Sequence, residues 1–340
     1  MGLVSSAKES SVMNESIKLT VIAIGRNEEL NIARLGESIG RLRDMADFSM
    51  EAIYVDSASS DNSVPQAKRY FDSVIELDDT AMLCAAGGRA VGTNAACGQW
   101  LLFLDGDMQL DDEFSKIVSG LVATVDEVVA GYVGDYLHIF PDGHTVRKSY
   151  ASDKLGKNVC FGGASLLRRS VVIAAGNWDG SIFSHEELDL FARISWQGRV
   201  IRAVDCLMIH HWSDYPSRMR RIVRIFLPSG GLGKLFYGIG QLVASRVRRA
   251  HRGWDVVAVE PYPIILGCGA AVAIVLAVWS MPLSLAVLML TAIFVAWARG
   301  VSVLVVYVSW FIQAPFGFCR YVPGYQPSIK SVWYREVSVR

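Results

Sequence analysis

The sequence has no net charge, since 33 Lys and Arg balance 33 Asp and Glu over 340 residues. Nothing in that balance suggests a bulk polyanion such as nucleic acid as partner. Its cysteines, at 84, 97, 160, 206, 268 and 319, show no paired metal-type spacing. They read as small hydrophobes in a reducing compartment. The first 18 residues are polar and serine-rich and lack the apolar core of a secretory signal, so the part that follows is expected to stay in the cytoplasm. There is no internal repeat and no low-complexity tract. The first apolar strand runs into Gly25-Arg26-Asn27-Glu28-Glu29, without the glycine pattern that seats a dinucleotide diphosphate, which argues against a Rossmann oxidoreductase.

Apolar residues, by contrast, are abundant at 52% and unevenly spread. Residues 261–281, 282–297 and 300–319 contain no charged side chain. Runs of this length are near what a bilayer-spanning helix needs. The expectation is two or three membrane-embedded helices. Arg246, Arg248, Arg249 and Arg252 precede the first run, which orients it from the cytoplasm outward. Arg320, Lys330, Arg335 and Arg340 in the tail favour the inside, so two spans with one interfacial segment satisfy the charge rule as three do not. Arg218, Arg220, Arg221, Arg224 and Lys234 extend the basic belt. This belt fits either an interfacial helix near anionic headgroups or ordinary positive-inside bias.

Ahead of the belt, short strands and helices alternate. Leu19–Ile24, Glu51–Val55, Ser73–Leu77 and Trp100–Leu104 read as strands with polar residues at their ends, the pattern of a mostly parallel α/β sheet with its site at the carboxyl edge. Helices are expected from Glu28 to about Arg43, capped by Asn27, and over 87–97, 111–125 and 185–197. Val128–Ile139 and Thr145–Tyr150 flank Pro141-Asp142-Gly143 as a hairpin, and Phe161–Leu167 and Val200–Ile209 are further strands.

Asp105-Gly106-Asp107 ends the fourth strand. Two carboxylates around a glycine can approach one hard divalent cation that keeps a face open for diphosphate. Asp56, at another strand end, is placed to accept hydrogen bonds from a base or ribose. Asp61 reads equally as a helix cap or a ligand contact. Arg89 is a candidate cation for the diphosphate or else a solvent-facing arginine. Glu186, Glu187 and Asp189 gain from a helix N-terminal field, and one of them can take a proton from an attacking hydroxyl. His210 and His211 precede Trp212, and a histidine there can complete a metal site or stay structural.

Taken in order, Val21–Glu29, Val55-Asp56 with Ser59 and Asp61, Arg89 with Gly92 and Gly98, and Leu104–Asp107 resemble family 2 glycosyltransferases of the GT-A fold. His185–Leu190 looks like that family's acceptor-side acidic motif, and the matches cover about residues 19–212. The C-terminal helices resemble those of bacterial members that build exopolysaccharide or other surface glycans. The resemblance implies an inverting transfer from a nucleotide-diphospho-sugar, UDP-sugar favoured, assisted by Mg²⁺ or Mn²⁺. It implies Glu187 as catalytic base, with donor contacts from Asn27, Glu28, Asp56, Arg89 and Asp105. Asp105, Asp107 and His210 are the expected metal ligands, and Glu186, Asp189 and Trp212 the acceptor side. Implied partners are a polyprenyl-linked glycan, membrane lipids and other glycan-assembly proteins, at the cytoplasmic face of the inner membrane. The chain then divides into a polar segment (1–18), a GT-A domain (19–212), basic interfacial helices (213–260), membrane helices (261–319) and a tail (320–340). Glutamate stands where the family usually has aspartate at 187. The Gln-x-x-Arg-Trp motif of processive synthases is missing, and His-His-Trp-Ser-Asp stands there instead, which favours addition of one sugar. The rival readings are a polyprenyl-phosphate glycosyltransferase, a processive synthase and a non-catalytic scaffold.

Overall fold

The computed structural model describes residues 17–78, 83–149, 163–212, 231–249, 269, 272–277, 279–299, 314 and 316–335. The polar N-terminal segment up to residue 16, Arg218–Arg224, Arg252, and most of the first and third apolar runs lie outside them.

The order begins β1 (Leu19–Gly25), α1 (Ile32–Met45), β2 (Met50–Asp56), α2 (Ser63–Tyr70), β3 (Ser73–Leu77), α3 (Ala85–Ala95) and β4 (Trp100–Asp105). It continues with β5 (Met108–Leu110), α4 (Asp112–Val122), β6 (Val129–Ile139), β7 (Thr145–Lys148), β8 (Ser165–Arg168), α5 (Arg169–Ala174), α6 (Glu186–Trp196) and β9 (Val200–Trp212). Then come α7 (Gly231–Arg248), α8 (Met281–Arg299) and β10 (Ile329–Tyr334). Among the described residues the strands form one sheet in the order β10-β3-β2-β1-β4-β8-β6-β9-β5, with β7 paired to β6.

The half from β3 to β4 is parallel, as the alternation of strands and helices predicts. Its central strands β1 and β4 are covered on both faces, so they are almost wholly apolar up to their ends. Leu101, Leu102, Phe103 and Leu104 are wholly buried, and each such side chain contributes roughly 1.5–3 kcal/mol. Beyond β4 the sheet changes character. β8 runs antiparallel to both β4 and β6, and β5 antiparallel to β9. The sheet is therefore mixed, not mostly parallel, because this half has hairpin-type returns and few crossover helices. The segment read as a tail also enters it, with β10 lying antiparallel on β3.

Register fixes the site. Ile24 pairs with Asp105 and Gly25 with Asp56, so the loops after β1, β2 and β4 emerge at one edge. Among the described residues no helix is long and apolar enough to cross a membrane.

Candidate functional site

The loops after β1 and β2 are latched together by serine hydroxyls. Asn27 N–H donates to Ser59 Oγ at 2.8 Å and Glu28 N–H to Ser63 Oγ at 2.7 Å. Asn27 Oδ1 accepts from Ser60 N–H at 2.9 Å. The latch holds Asn27 and Ala58 at φ of 59° and 55°, a conformation that costs a non-glycine residue about 1–2 kcal/mol. Asn27 thus caps no helix, and Asn31 stands at the start of α1. Asp56 ends β2. It is 1% exposed, and both its oxygens accept from Ser59, at 2.8 and 2.6 Å. Burial raises its pKa, against the Ser59 bonds. Asp61 serves the loop, accepting from Ser63 and from Glu29 N–H.

A cleft of about 290 Å³ opens between these loops, the start of α3 and Asp105-Gly106-Asp107. Glu28 lines it. A Cβ on Gly106 would lie 2.6 Å from Glu28 Cγ, so the middle residue must be glycine to leave Glu28 its place. Cys84 is also on the wall, its Sγ donating to Gly180 O. Burial pushes that thiol up to about 12, which leaves it unreactive.

Arg89 is the hinge of the arrangement. It projects from α3, is 1% exposed, and stands over the Trp178 ring at 5.0 Å. Its Nη2 bonds Asp105 Oδ1 at 2.7 Å and its Nη1 bonds Glu186 Oε1 at 2.7 Å. Glu187 Oε1 lies 3.8 Å from Nη1. One guanidinium therefore ties the end of β4 to the first turn of α6, a bidentate task suited to arginine. The resemblance assigned Arg89 to diphosphate; as folded, its charge is spent on carboxylates. The turn before α6 is strained as well, with His185 at φ 61°. Glu187 sits mostly buried in the first turn. Burial, reinforced by Glu186 and opposed by Arg89, raises its carboxyl to about 8.

Of the neighbouring histidines, the structure brings His211 and not His210 to the aspartates. Successive strand residues face opposite sides. His211 Nε2 meets Asp107 Oδ2 at 3.1 Å, while its Nδ1 meets His138 Nδ1 at 2.9 Å. Burial works to lower the His211 pKa, but the bond and charge of Asp107 hold it above the ordinary value. His210 bonds Asp111 at 2.7 Å on the other face, where Asp111 also caps α4. His210, expected as a metal ligand, thus stands apart from Asp105 and Asp107, and His211 is the histidine beside Asp107. Pairing of β5 with β9, Met108 against His211, decides the matter, and sequence alone carries no signal of it.

Asp189, expected on the acceptor side, is wholly buried. It binds Arg193 Nη2 at 2.6 Å and Arg246 Nη1 at 2.7 Å, and these cations lower its pKa against the pull of burial. Trp212 faces a separate cavity, beneath Arg34.

Residues 20–174 match the family described as glycosyl transferase family 2. Residues 20–174 are thus similar to a family 2 glycosyltransferase domain. Nucleotide-sugar glycosyl transfer is accordingly its chemistry. No curated protein matches the sequence. The fold resembles that of a mannosyltransferase from Pyrobaculum calidifontis, solved with GDP-Man and Mn²⁺, at TM-score 0.56 and 16% identity over 89% of this chain and 87% of that one. It also resembles TarS of S. aureus, residues 1–349 with UDP-GlcNAc, at TM-score 0.51 and 15% identity over 87% and 91%.

A divalent cation fits this glycosyltransferase site. Asp107 Oδ1 is buried without a hydrogen-bond partner, next to Asp105 and His211. Among the described residues no group of three or more His, Cys, Asp or Glu is arranged to hold a metal by itself. The remaining ligands would be diphosphate oxygens and water, which is how Mg²⁺ is commonly held beside one or two carboxylates.

Proposed function

We propose that the domain moves one sugar from a nucleotide-diphospho-sugar to a hydroxyl of a polyprenyl-diphosphate-linked glycan, with inversion, at the cytoplasmic face of the membrane. The observation that carries the reading is the Arg89 bridge. It fixes Glu187 relative to Asp105 and so relates a buried acid to the donor cleft. Glu187 is the base in this reading. A carboxylate whose proton affinity has been raised toward neutrality by burial is a better acceptor for a hydroxyl proton than one left in water. Asp107 and Asp105, with His211 orienting the Asp107 carboxylate, would hold Mg²⁺ or Mn²⁺, which offsets charge growing on the departing diphosphate. Glu28 closes the cleft beside them.

The lipid side of the proposal draws on α8. Leu283, Leu285, Met289, Leu290, Ile293 and Phe294 are all exposed there. An apolar surface of that kind marks a place for lipid or protein contact. Addition of one sugar is supported by the missing processive motif.

Release of nucleoside diphosphate by the detergent-purified chain tests the reading, with UDP-, GDP- and dTDP-sugars, Mg²⁺ or Mn²⁺, and two acceptors. Turnover that requires a lipid-diphosphate-sugar extract supports it. Turnover with polyprenyl monophosphate alone would transfer the assignment to a polyprenyl-phosphate glycosyltransferase. A chain that binds nucleotide with Mn²⁺ yet turns over no donor with either acceptor would overturn it.

A further inference from the structure

The β6–β7 turn leans over the start of α1 and the end of β9, and the three enclose a second cavity of about 480 Å³. Leu30, Asn31, Arg34, Phe140, Pro141 and Trp212 are among its walls. It shares partitions with the donor cleft. Glu28 faces the cleft and Asn27 the cavity, and Trp212 N–H donates to Asp107 O at 3.0 Å.

Its polar atoms are matched in an unusual way. Asn31 Nδ2 donates to Glu28 Oε2 at 2.7 Å, which turns Asn31 Oδ1 to accept from Arg34 Nη1 at 3.2 Å. Arg34 lies flat on Trp212, its guanidinium carbon 3.9 Å from the ring centroid. Among the described residues no carboxylate pairs with it, and partial burial lowers its pKa with no neighbouring charge to compensate. The Trp212 indole N–H is buried with no acceptor. A charged donor and a neutral donor are thus both short of partners, in a cavity whose walls other than Asn27 and Asn31 are apolar and aromatic. Unmatched buried donors are costly in an interior, and a planar guanidinium is suited to two oxygens of one anion. Aromatic and proline surfaces suit the C–H face of a sugar ring.

We infer that this cavity is an acceptor subsite for an anionic saccharide, whose carboxylate or phosphate oxygens meet Arg34 and Trp212 Nε1 while its ring rests against Phe140 and Pro141. The inference rests on the proposed function and gives the acceptor its chemistry: a glycan bearing a uronic acid or a sugar phosphate.

Saturation-transfer NMR on the full chain in detergent tests it with methyl β-glucuronide, its neutral analogue methyl β-glucoside, and glucose 6-phosphate. The expected result is at least tenfold tighter binding of an anionic probe than of methyl β-glucoside, lost in R34Q and only partly kept in R34K, which retains the charge without the planar fork. Whichever anion binds tighter, glucuronide or phosphate, identifies the source of the charge. Equal binding of the charged and neutral probes, or a preference that survives R34Q, overturns the inference. W212F provides a second arm, because it deletes only the indole N–H donor and should weaken the anions about threefold. Binding of UDP and GDP is measured on the same samples. Nucleotide binding without any sugar-anion preference sinks this subsite and leaves the donor reading intact, whereas loss of nucleotide binding in the unaltered chain would sink the proposed function.

Discussion

Replacing Arg89 with methionine removes the cation that joins Asp105 to Glu186 and leaves a side chain of similar length. The Glu186 carboxylate is 8% exposed and the guanidinium 1%, so water cannot take over from the lost partner. Breaking a buried pair by deleting one member costs about 3–5 kcal/mol. For a domain of this size that corresponds to a fall in Tm of roughly 6–20 °C. The pH dependence is the sharper test. Without the guanidinium, Asp105, Glu186 and Glu187 face one another, and nothing opposes the burial that already raises Asp105 and Glu187 above their unfolded values. A carboxyl raised in this way binds more protons folded than unfolded, so its stability is greatest at low pH and is lost as pH rises through the folded pKa. Urea denaturation of R89M should therefore show a small deficit near pH 5 that widens by pH 8. Adding E186Q to R89M should restore part of the loss at pH 8. A deficit below about 1 kcal/mol, or one that does not change with pH, would refute the claim that Arg89 neutralises these acids.

Glu187 as base requires the E187Q variant to lose about 10²–10⁴-fold in kcat while nucleotide affinity stays within about threefold. In the unaltered chain kcat should climb with pH and reach half its plateau near 8, where Glu187 sheds its proton; a flat profile between pH 6.5 and 9 would assign the base elsewhere. The two histidines separate in a metal titration. H211A should raise the Mn²⁺ concentration for half-maximal turnover by about 10–100-fold, as loss of a ligand or its close support does. H210A should leave that concentration unchanged and cost at most about 1 kcal/mol through its partly exposed Asp111 contact. Equal effects of the two would undo the assignment from strand register.

Much of the catalytic half could be read directly because its physics is local. β1 and β4 are buried on both faces, so their sequences are continuous apolar runs, and the acids follow where the runs stop. Helix α6 starts within a residue of its predicted place because three acids gather at its N-terminal field. What escaped reading depends on distant partners. Nothing in His-His tells which imidazole meets Asp107 until β5 is laid against β9. Asp189 looks like a third acid at a helix start, yet its burial is decided by Arg246, 57 residues on. Residues 329–334, Ile-Lys-Ser-Val-Trp-Tyr, are rich in strand formers, but nothing local says that they pair with β3. The apolar runs were read by length and lack of charge, and those properties do not say which surface they cover.

These long-range contacts alter what the C-terminal part does for chemistry. Ser184, just ahead of α6, would collide with any Cβ at Gly238 of α7, so that helix approaches as closely as backbones allow. Gln241 Oε1 accepts from Phe183 N–H at 3.0 Å, and Tyr321 O–H donates to Asp179 at 2.7 Å. Arg246 grips Asp189 and also donates to Leu188 O at 3.2 Å. Helix α6 is thus held by two buried guanidiniums, Arg89 on the side of the donor cleft and Arg246 on the side of α7. Buried ion pairs of this kind add little net stability against an apolar core. Their physical effect is geometric, since each admits only one placement of the helix that satisfies both charges. Glu187 lies between the two fixed points, so the position of the proposed base depends on residues beyond 230 as much as on the strand ends that supply the aspartates.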